Sequence, residues 1–269
     1  MKESEPPLYT RFGYRRTGDP ASPLEIEPYP EICHRGVLRP SIIASAVDII
    51  GSLHARDVAG VDALFTTDLS VRAPARLVPE RILTRGRVLR AGRSLITSGV
   101  ALEVDGATYA YGHTSFMRVP RKDRGAEDLA ALVLPSSIER VPLERPLAEH
   151  VGIAIADPAR GHVEVELREE LRNPEGVMQG ALVAFLAELA AEALAGSAHG
   201  SPQIVTEIDV RYLATGKVGP MATEARWIGE PDVGMVRVEL RDRGNDERIT
   251  AAALLRVAPA PGGTSDTGH

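Results

Sequence analysis

The chain has one cysteine, few aromatic residues and no excess of positive charge. Cys33 alone cannot form a disulfide within the chain, so no oxidising compartment is indicated. The formal net charge is −6, which argues against a nucleic-acid partner because phosphate backbones attract basic surfaces. Residues 1–30 are rich in charge and proline and lack the apolar core of a signal peptide. With no apolar run predicted to span a bilayer, we expect a cytoplasmic protein without a membrane partner.

Sequence motifs of several enzyme classes are also missing. The chain has no G-x-S-x-G elbow, no Walker loop and no G-x-G-x-x-G segment. Its seven histidines are scattered without the spacing of metal ligands. We therefore predict neither a metal site nor a bound cofactor. The content of 43% hydrophobic and 25% charged residues is typical of a globular protein.

An internal duplication organises what is present. Three segments recur in the same order at nearly constant offsets of 138 to 140 residues, which is the mark of a repeated unit. One of them has the shared pattern T-[D/E]-[L/I]-x-V-R-x-x-A. The matched pairs are Pro40–Ala55 with Gly180–Ala195, Thr66–Ala75 with Val205–Ala214, and Ser115–Val119 with Ala253–Val257. We predict two tandem copies of one fold.

Each copy has the same order of elements: a short strand, a long apolar helix and a meander of strands with period-two alternation. This pattern predicts an α+β fold in which an antiparallel sheet wraps a buried helix. The second copy should turn Ile204, Thr206, Ile208, Val210 and Tyr212 towards the helix. The predicted strands are Leu24–Glu27, Ile82–Leu89, Leu95–Val104, Thr108–Val119, His162–Leu171, Val236–Asp242 and Ile249–Val257.

Domain boundaries follow from the repeat and from composition. Residues 1–120 form the first predicted unit and 147–258 the second. The charged, proline-rich stretch 121–146 is predicted to be the linker, and 259–269 a disordered tail.

A carboxylate in the middle of each apolar helix is the strongest chemical signal. Asp48 and Glu188 occupy matching positions, and Glu192 follows one turn after Glu188. Burial of an unpaired carboxylate costs several kcal/mol or raises its pKa. Since the feature occurs twice, we predict a functional role, although a carboxylate bonded by a neighbouring loop stays open.

The start of the second helix resembles a site for a developing negative charge. Gly180 and Ala181 open the helix, where backbone N–H groups lack partners within the helix. Small side chains there allow a ligand to approach, as an oxyanion hole requires. A glycine before a helix is common, so this feature needs support from others.

The spacing of Asn173, Gly180 and Glu188 resembles the signature of hotdog-fold acyl-CoA thioesterases of the phenylacetate-pathway (PaaI-like) type. The likeness covers most of both copies, so the chain resembles a double hotdog. Gln179 stands where that family usually has histidine, and Ala181 replaces the second glycine. The resemblance implies hydrolysis of an acyl-CoA thioester, with coenzyme A as part of the substrate.

The resemblance also implies that each site combines a helix start from one copy with a carboxylate from the other. One site would contain Asn173, Gln179, Gly180 and Asp48. The Gly180 amide would polarise the carbonyl, Asp48 would be general base or nucleophile, and Asn173 would orient the water or the carbonyl.

The other site would pair Cys33, Arg39 and Pro40 with Glu188. Because proline has no N–H, we predict that only the first site is competent. Arg90 and Arg93 lie in a loop that, in similar proteins, is near the coenzyme A entrance. They are candidates for contact with its phosphates, with plain surface arginines as the simpler alternative.

Two other functions stay open. One is a non-catalytic acyl-CoA or lipid binder, favoured by Gln179, Ala181 and the altered first copy. The other is a hotdog hydratase or dehydratase, which generally needs a histidine beside its carboxylate. His34 is the only histidine near a helix start, and it belongs to the altered site. Association of the double unit into a homo-oligomer is also an open expectation.

Overall fold

The computed structural model describes residues 8–120, 141–173 and 176–261. Two helices of 20 residues are its longest elements: α1 (Pro40–Ala59) and α2 (Gly180–His199). Helix α2 begins at Gly180, as predicted, and both helices extend four residues beyond the matched repeat segments that end at Ala55 and Ala195. The predicted linker lies outside the described residues from 121 to 140, as do residues 262–269 of the predicted tail.

Of the fourteen strands in the described residues, twelve form one antiparallel sheet in the order β1-β2-β6-β7-β8-β5-β11-β14-β13-β12-β10-β9, and β3 pairs with β4 separately. The strands are β1 (Tyr14–Arg16), β2 (Leu24–Ile26), β3 (Cys33–His34), β4 (Val37–Leu38), β5 (Ala63–Arg72), β6 (Ile82–Ala91), β7 (Leu95–Val104), β8 (Ala107–Val119), β9 (Ala154–Asp157), β10 (His162–Val165), β11 (Gln203–Tyr212), β12 (Met221–Trp227), β13 (Met235–Asp242) and β14 (Arg248–Pro259). Single helical turns occur at Leu8–Arg11, Pro30–Ile32, Leu147–Val151, Pro158–Arg160, Glu169–Leu171 and Pro231–Val233.

The helices pack on one face of this sheet. Helix α1 contacts β5 to β8, α2 contacts β10 to β14, and the two helices contact each other. Their buried residues include Ile43 and Val47 of α1 and Leu182 and Leu186 of α2. Each such side chain contributes about 1.5–3 kcal/mol when fully buried, so the apolar helices account for much of the core.

The centre of the sheet brings two segments of the sequence repeat side by side. Strands β5 and β11 pair antiparallel at its centre, where Leu69 lies opposite Val210. Each strand also has a register shift at one residue, Thr67 in β5 and Thr206 in β11. These two threonines are matched in the sequence repeat. The same bulge at the same place in both copies shows that the repeat extends to backbone detail.

The bulge at Thr206 changes which side chains face the helix. Val205, Ile208, Val210 and Tyr212 belong to or pack against the main core. Ile204 instead packs in a small separate cluster. The predicted alternation was therefore wrong for Ile204 and Thr206, because one extra residue in a strand reverses the facing of those before it.

Two predicted boundaries were also wrong. The strand predicted over His162–Leu171 ends at Val165, and the chain then forms a helical turn at Glu169–Leu171. The tail was predicted to start at residue 259, but β14 includes Pro259, and Ala260 is buried.

Helix α2 is long and apolar enough to cross a membrane by length and composition, with a hydropathy of 1.6. Our expectation that no segment reaches this threshold was wrong. Within the fold, 72% of the 18-residue segment of α2 with this hydropathy is buried, as in the core helix of a soluble protein. Length and composition alone are therefore weak evidence for a membrane span here.

Candidate active site

Asp48 lies midway along α1, where two strands of its own copy hold one of its oxygens. The hydroxyls of Thr66 on β5 and Thr114 on β8 donate to its Oδ1, at 2.9 Å and 3.1 Å. In the described part of the chain, no hydrogen bond to its Oδ2 is found. Burial raises the pKa of Asp48, and the two hydroxyl bonds lower it by less. The result is a carboxylate with one oxygen anchored and the other available to a ligand or a water.

The start of α2 reaches the same region through Tyr212. The Tyr212 hydroxyl, at the end of β11, donates to the carbonyl of Gly180 at 3.2 Å. Burial raises the pKa of Tyr212, and the negative charge of Asp48 raises it further. Tyr212, which the sequence did not single out as a site residue, thus contacts Gly180 at the helix start of the second copy, and its pKa responds to the charge of Asp48 in the first copy.

The other two predicted residues of this site shape the loop before α2. The Oδ1 of Asn173 accepts a hydrogen bond from the Val177 amide at 3.1 Å. The Nε2 of Gln179 donates to the carbonyls of Glu170 and Arg172, at 2.8 Å and 3.0 Å. These three bonds close the loop onto itself. A role for Asn173 in orienting water or substrate is not visible in these contacts.

Asp242 holds a neighbouring loop at residues 217–219, and it was missed by sequence reasoning. Its carboxylate is buried and accepts backbone N–H bonds from Lys217, Val218 and Gly219, at 2.7, 3.0 and 2.8 Å. Burial by itself would raise the pKa of Asp242, but these amides bring it below the usual value. The only signal in the sequence was an acidic residue at an inward position of β13.

The loop held by Asp242 in turn supports the approach to α2. The amide of Met178 donates to the Gly216 carbonyl at 2.9 Å, and Arg172 donates to the Lys217 carbonyl at 2.8 Å. The start of α2 is therefore set by a chain of contacts that begins at Asp242.

The second predicted site is filled by a buried ion-pair cluster. Nη1 of Arg39 lies 2.9 Å from Glu188 and 3.0 Å from Glu192. The backbone amide of Ser41 donates to the other oxygen of Glu188 at 2.9 Å. All three charged side chains are nearly inaccessible to solvent. The Arg39 guanidinium also lies 5.2 Å from the ring centre of Phe185, a cation–π contact.

The two sites therefore differ in a simple way. Glu188 spans from α2 to the first turn of α1 and takes the backbone N–H that a substrate oxygen would need. The Asp48 side chain is one methylene shorter than that of Glu188, and hydrogen bonds from Thr66 and Thr114 hold it against its own copy.

The flanking Cys33 and His34 are also unsuited to acid–base chemistry near pH 7. Burial raises the pKa of Cys33 to about 11. Burial and the Arg39 charge lower that of His34 to about 4. The histidine that a hydratase would need is therefore held neutral beside a filled site.

Arg90 and Arg93 lie elsewhere on the molecule. Arg90 is in β6 and Arg93 in the turn before β7, and both are exposed. Nearby, Ile96 of β7 packs with Ala55 and Ala59 at the carboxyl end of α1. Asp48 lies two to three turns earlier in that helix. No contact among the described residues links the two arginines to Asp48.

Surface clefts and metal ligands do not point to a different centre. A cleft of about 430 Å³ beside β12 and β13 is lined by charged residues, including Arg160, Glu224 and Arg243. Arg160 is paired with Glu224 and Arg243 with Glu164, so the charges in this cleft largely satisfy each other. Within residues 8–120, 141–173 and 176–261, no cluster of His, Cys, Asp and Glu could hold a metal ion.

Comparison with solved structures identifies the fold. A candidate thioesterase from Novosphingobium aromaticivorans is 18% identical, with 91% of this chain and 98% of that chain covered and a TM-score of 0.58. A hot dog fold protein of unknown function from Alicyclobacillus acidocaldarius is 15% identical, with 93% and 97% covered and a TM-score of 0.56. An acyl-ACP thioesterase from Bacteroides thetaiotaomicron is 11% identical, with 87% and 96% covered and a TM-score of 0.54.

No protein-family model and no curated protein matches the sequence. At these identities, the likeness to the solved structures establishes the hotdog fold and leaves the chemistry to be argued from the residues. It also covers nearly the full length of both chains in each case.

Proposed function

We propose that this protein hydrolyses an acyl-CoA thioester to a carboxylic acid and free coenzyme A, at one composite active site between two tandem hotdog units. The observation that carries the proposal is the arrangement of Asp48, Tyr212 and Gly180. Asp48 has one oxygen without a hydrogen bond among the described residues, and its charge raises the pKa of Tyr212, which contacts Gly180 at the helix start in the other half of the chain. Such an arrangement combines a general base with backbone donors for an oxyanion.

The double-hotdog arrangement is supported by three features. Helices α1 and α2 begin at equivalent positions and have equal lengths. The bulges at Thr67 and Thr206 coincide in the repeat. Strands β5 and β11, one from each copy, pair at the centre of the sheet. One copy therefore takes the place that a second subunit has in a dimer of single units.

The proposed reaction needs only a water besides the substrate. The thioester carbonyl oxygen lies at the amino end of α2, where unpaired N–H groups and the helix dipole favour negative charge. Asp48 removes a proton from water as the water oxygen attacks the carbonyl carbon. The tetrahedral intermediate then expels the thiolate, breaking the carbon–sulfur bond. The thiolate takes up the proton that Asp48 removed from the water, which restores the carboxylate, and the acid and free coenzyme A leave. Attack by Asp48 itself through a mixed anhydride is the variant of this mechanism.

Coenzyme A is one of two carriers that the comparison suggests. A similar structure is named as an acyl-ACP thioesterase, so acyl-carrier protein is the other. We propose coenzyme A, with the exposed Arg90 and Arg93 as candidate contacts for its phosphates. Charge reversal of both arginines should then raise the KM for acyl-CoA and leave kcat unchanged.

The test is a panel of acyl-CoA thioesters of increasing chain length, with acyl-ACP in parallel and release of free thiol as the readout. Asp48→Asn should abolish release. The folded fraction of Glu188→Gln should still release thiol, because Glu188 belongs to the buried ion-pair cluster and not to the proposed active site. Equal losses in the two variants, or the reverse order, would contradict the one-site proposal.

The rival functions give different results in the same assay. A non-catalytic binder would hold acyl-CoA tightly, for example in calorimetry, without releasing thiol. A hydratase would change the absorbance of an enoyl-CoA without releasing coenzyme A. The filled site around His34 and Arg39 provides no acid–base histidine for the latter.

A further inference from the structure

We propose that the Tyr212 hydroxyl is a catalytic group of this site: together with Asp48 it holds the attacking water by its two hydrogens. The inference rests on the proposed function and assigns a role to a residue that the helix-start and carboxylate pattern does not contain.

The pairing of the central strands brings Tyr212 beside the anchor of Asp48. Arg211 of β11 lies opposite Asp68 of β5, so Tyr212 lies at the level of the bulge that contains Thr66 and Thr67. Paired strands are about 4.8 Å apart. Thr66 binds Asp48 and Tyr212 binds Gly180, so neighbouring strands carry one hydroxyl to each half of the site.

The close approach of Gly180 to the ring supports the same placement. A Cβ added at Gly180 would lie 3.5 Å from the Tyr212 hydroxyl and 3.7 Å from its ring. The phenol therefore lies directly beside the first residue of α2, where the proposed carbonyl binds. Its position in the site depends on contacts and strand register, and the influence of Asp48 on its pKa agrees with them.

The duplication supplies an internal comparison. The position of Tyr212 corresponds to Ala73 in the first copy, by the alignment of Thr66–Ala75 with Val205–Ala214. Ala73 belongs to the copy whose helix start is closed by Arg39 and Glu188. The hydroxyl is therefore present in the copy whose helix start is open and absent from the copy whose helix start is closed.

The hydrogen-bonding capacity of these groups leaves room for one kind of partner. A phenol has a single proton, and that of Tyr212 is given to the Gly180 carbonyl. An ionised Asp48 has none. Both groups can then only accept, so a single molecule that bridges them must be a donor with two hydrogens. A water fits this need, and its lone pairs are then directed away from both acceptors, towards the substrate.

The decisive variant is Tyr212→Phe, which removes the hydroxyl and keeps the ring. We expect kcat to fall about tenfold, the usual effect of one hydrogen bond on a barrier, with KM within about twofold. Thermal unfolding should shift little, because the ring still packs. In the background of Asp48→Asn, the same change should have no further effect on the residual rate.

Tyr109→Phe is the matched control. Tyr109 is buried in the first copy, and its hydroxyl has no hydrogen-bond partner among the described residues. Its loss should leave kcat unchanged. A Tyr212→Phe variant with full kcat beside an inactive Asp48→Asn would overturn the role of Tyr212 and leave the proposed function intact. A fall in kcat that follows a matching loss of thermal stability or a rise in KM would also overturn it, in favour of a structural role. Absence of thiol release by the unaltered protein would instead refute the proposed function.

Discussion

Removal of Arg39 should strongly destabilise this protein, although the residue lies outside the proposed active site. Its guanidinium is the cation paired with Glu188 and Glu192 in the buried cluster. In Arg39→Met, Glu188 would keep its hydrogen bond from the Ser41 amide. Neither Glu188 nor Glu192 would keep a charged partner. Breaking a buried pair in this way costs about 3–5 kcal/mol. Folded domains have only about 5–15 kcal/mol of stability, so the loss would be a large part of the total.

The measurement is thermal and urea unfolding at pH 7, followed by circular dichroism. In a protein of this size, each kcal/mol shifts Tm by about 2–4 °C, so we expect a fall of about 6–20 °C. Burial raises the pKa of Glu188 and Glu192, and the absence of Arg39 should raise both further. The penalty should therefore shrink at low pH, where the carboxylates are protonated in both folded and unfolded states.

The control replaces the whole cluster with apolar residues, as in Arg39→Met with Glu188→Met and Glu192→Leu. Such replacements are often neutral or stabilising, because no charge needs to be desolvated. We expect the triple variant to be more stable than Arg39→Met alone. A single variant that loses less than about 1 kcal/mol, or a triple variant that is worse, would refute the ion-pair reasoning.

Three further predictions concern the active site and its support. The pH profile of kcat/KM for thioester hydrolysis should fall on the acid side with an apparent pKa above the ordinary aspartate value of about 3.9. The reason is that burial raises the pKa of Asp48, whose ionised form is the base. An acid limb at the ordinary aspartate value would contradict this. Asp48→Asn should increase thermal stability at pH 7 while abolishing turnover, since a raised folded pKa costs stability as pH rises through it; a less stable variant would contradict this. Asp242→Asn should cost about 2–3 kcal/mol in urea unfolding at pH 7, because three amides lose their anion. As the pKa of Asp242 is lowered, that difference should disappear as pH falls through its folded value, and a difference that persists there would point to packing instead.

The sequence by itself determined the features that depend on local pattern. The repeat could be predicted from recurring segments, and the two long helices and the strands of the meander from the spacing of apolar residues. The carboxylates Asp48 and Glu188 stood out because charge is rare in an apolar helix. The prediction that only one helix start can bind an oxyanion followed from Pro40, which has no N–H to donate.

Only the tertiary structure decided how these residues are used. Tyr212 enters the site because β5 and β11, distant in the chain, are paired in one register. Arg39 fills the second site because the Glu188 side chain is long enough to reach it. The spacing of residues in the sequence does not give this distance. Asn173 and Gln179, chosen by spacing, make contacts that shape the loop before α2, and their predicted roles at the active site stay predictions. Apolar patterning sets which face of an element is buried, whereas polar side chains take their roles from partners that only folding brings within hydrogen-bond distance.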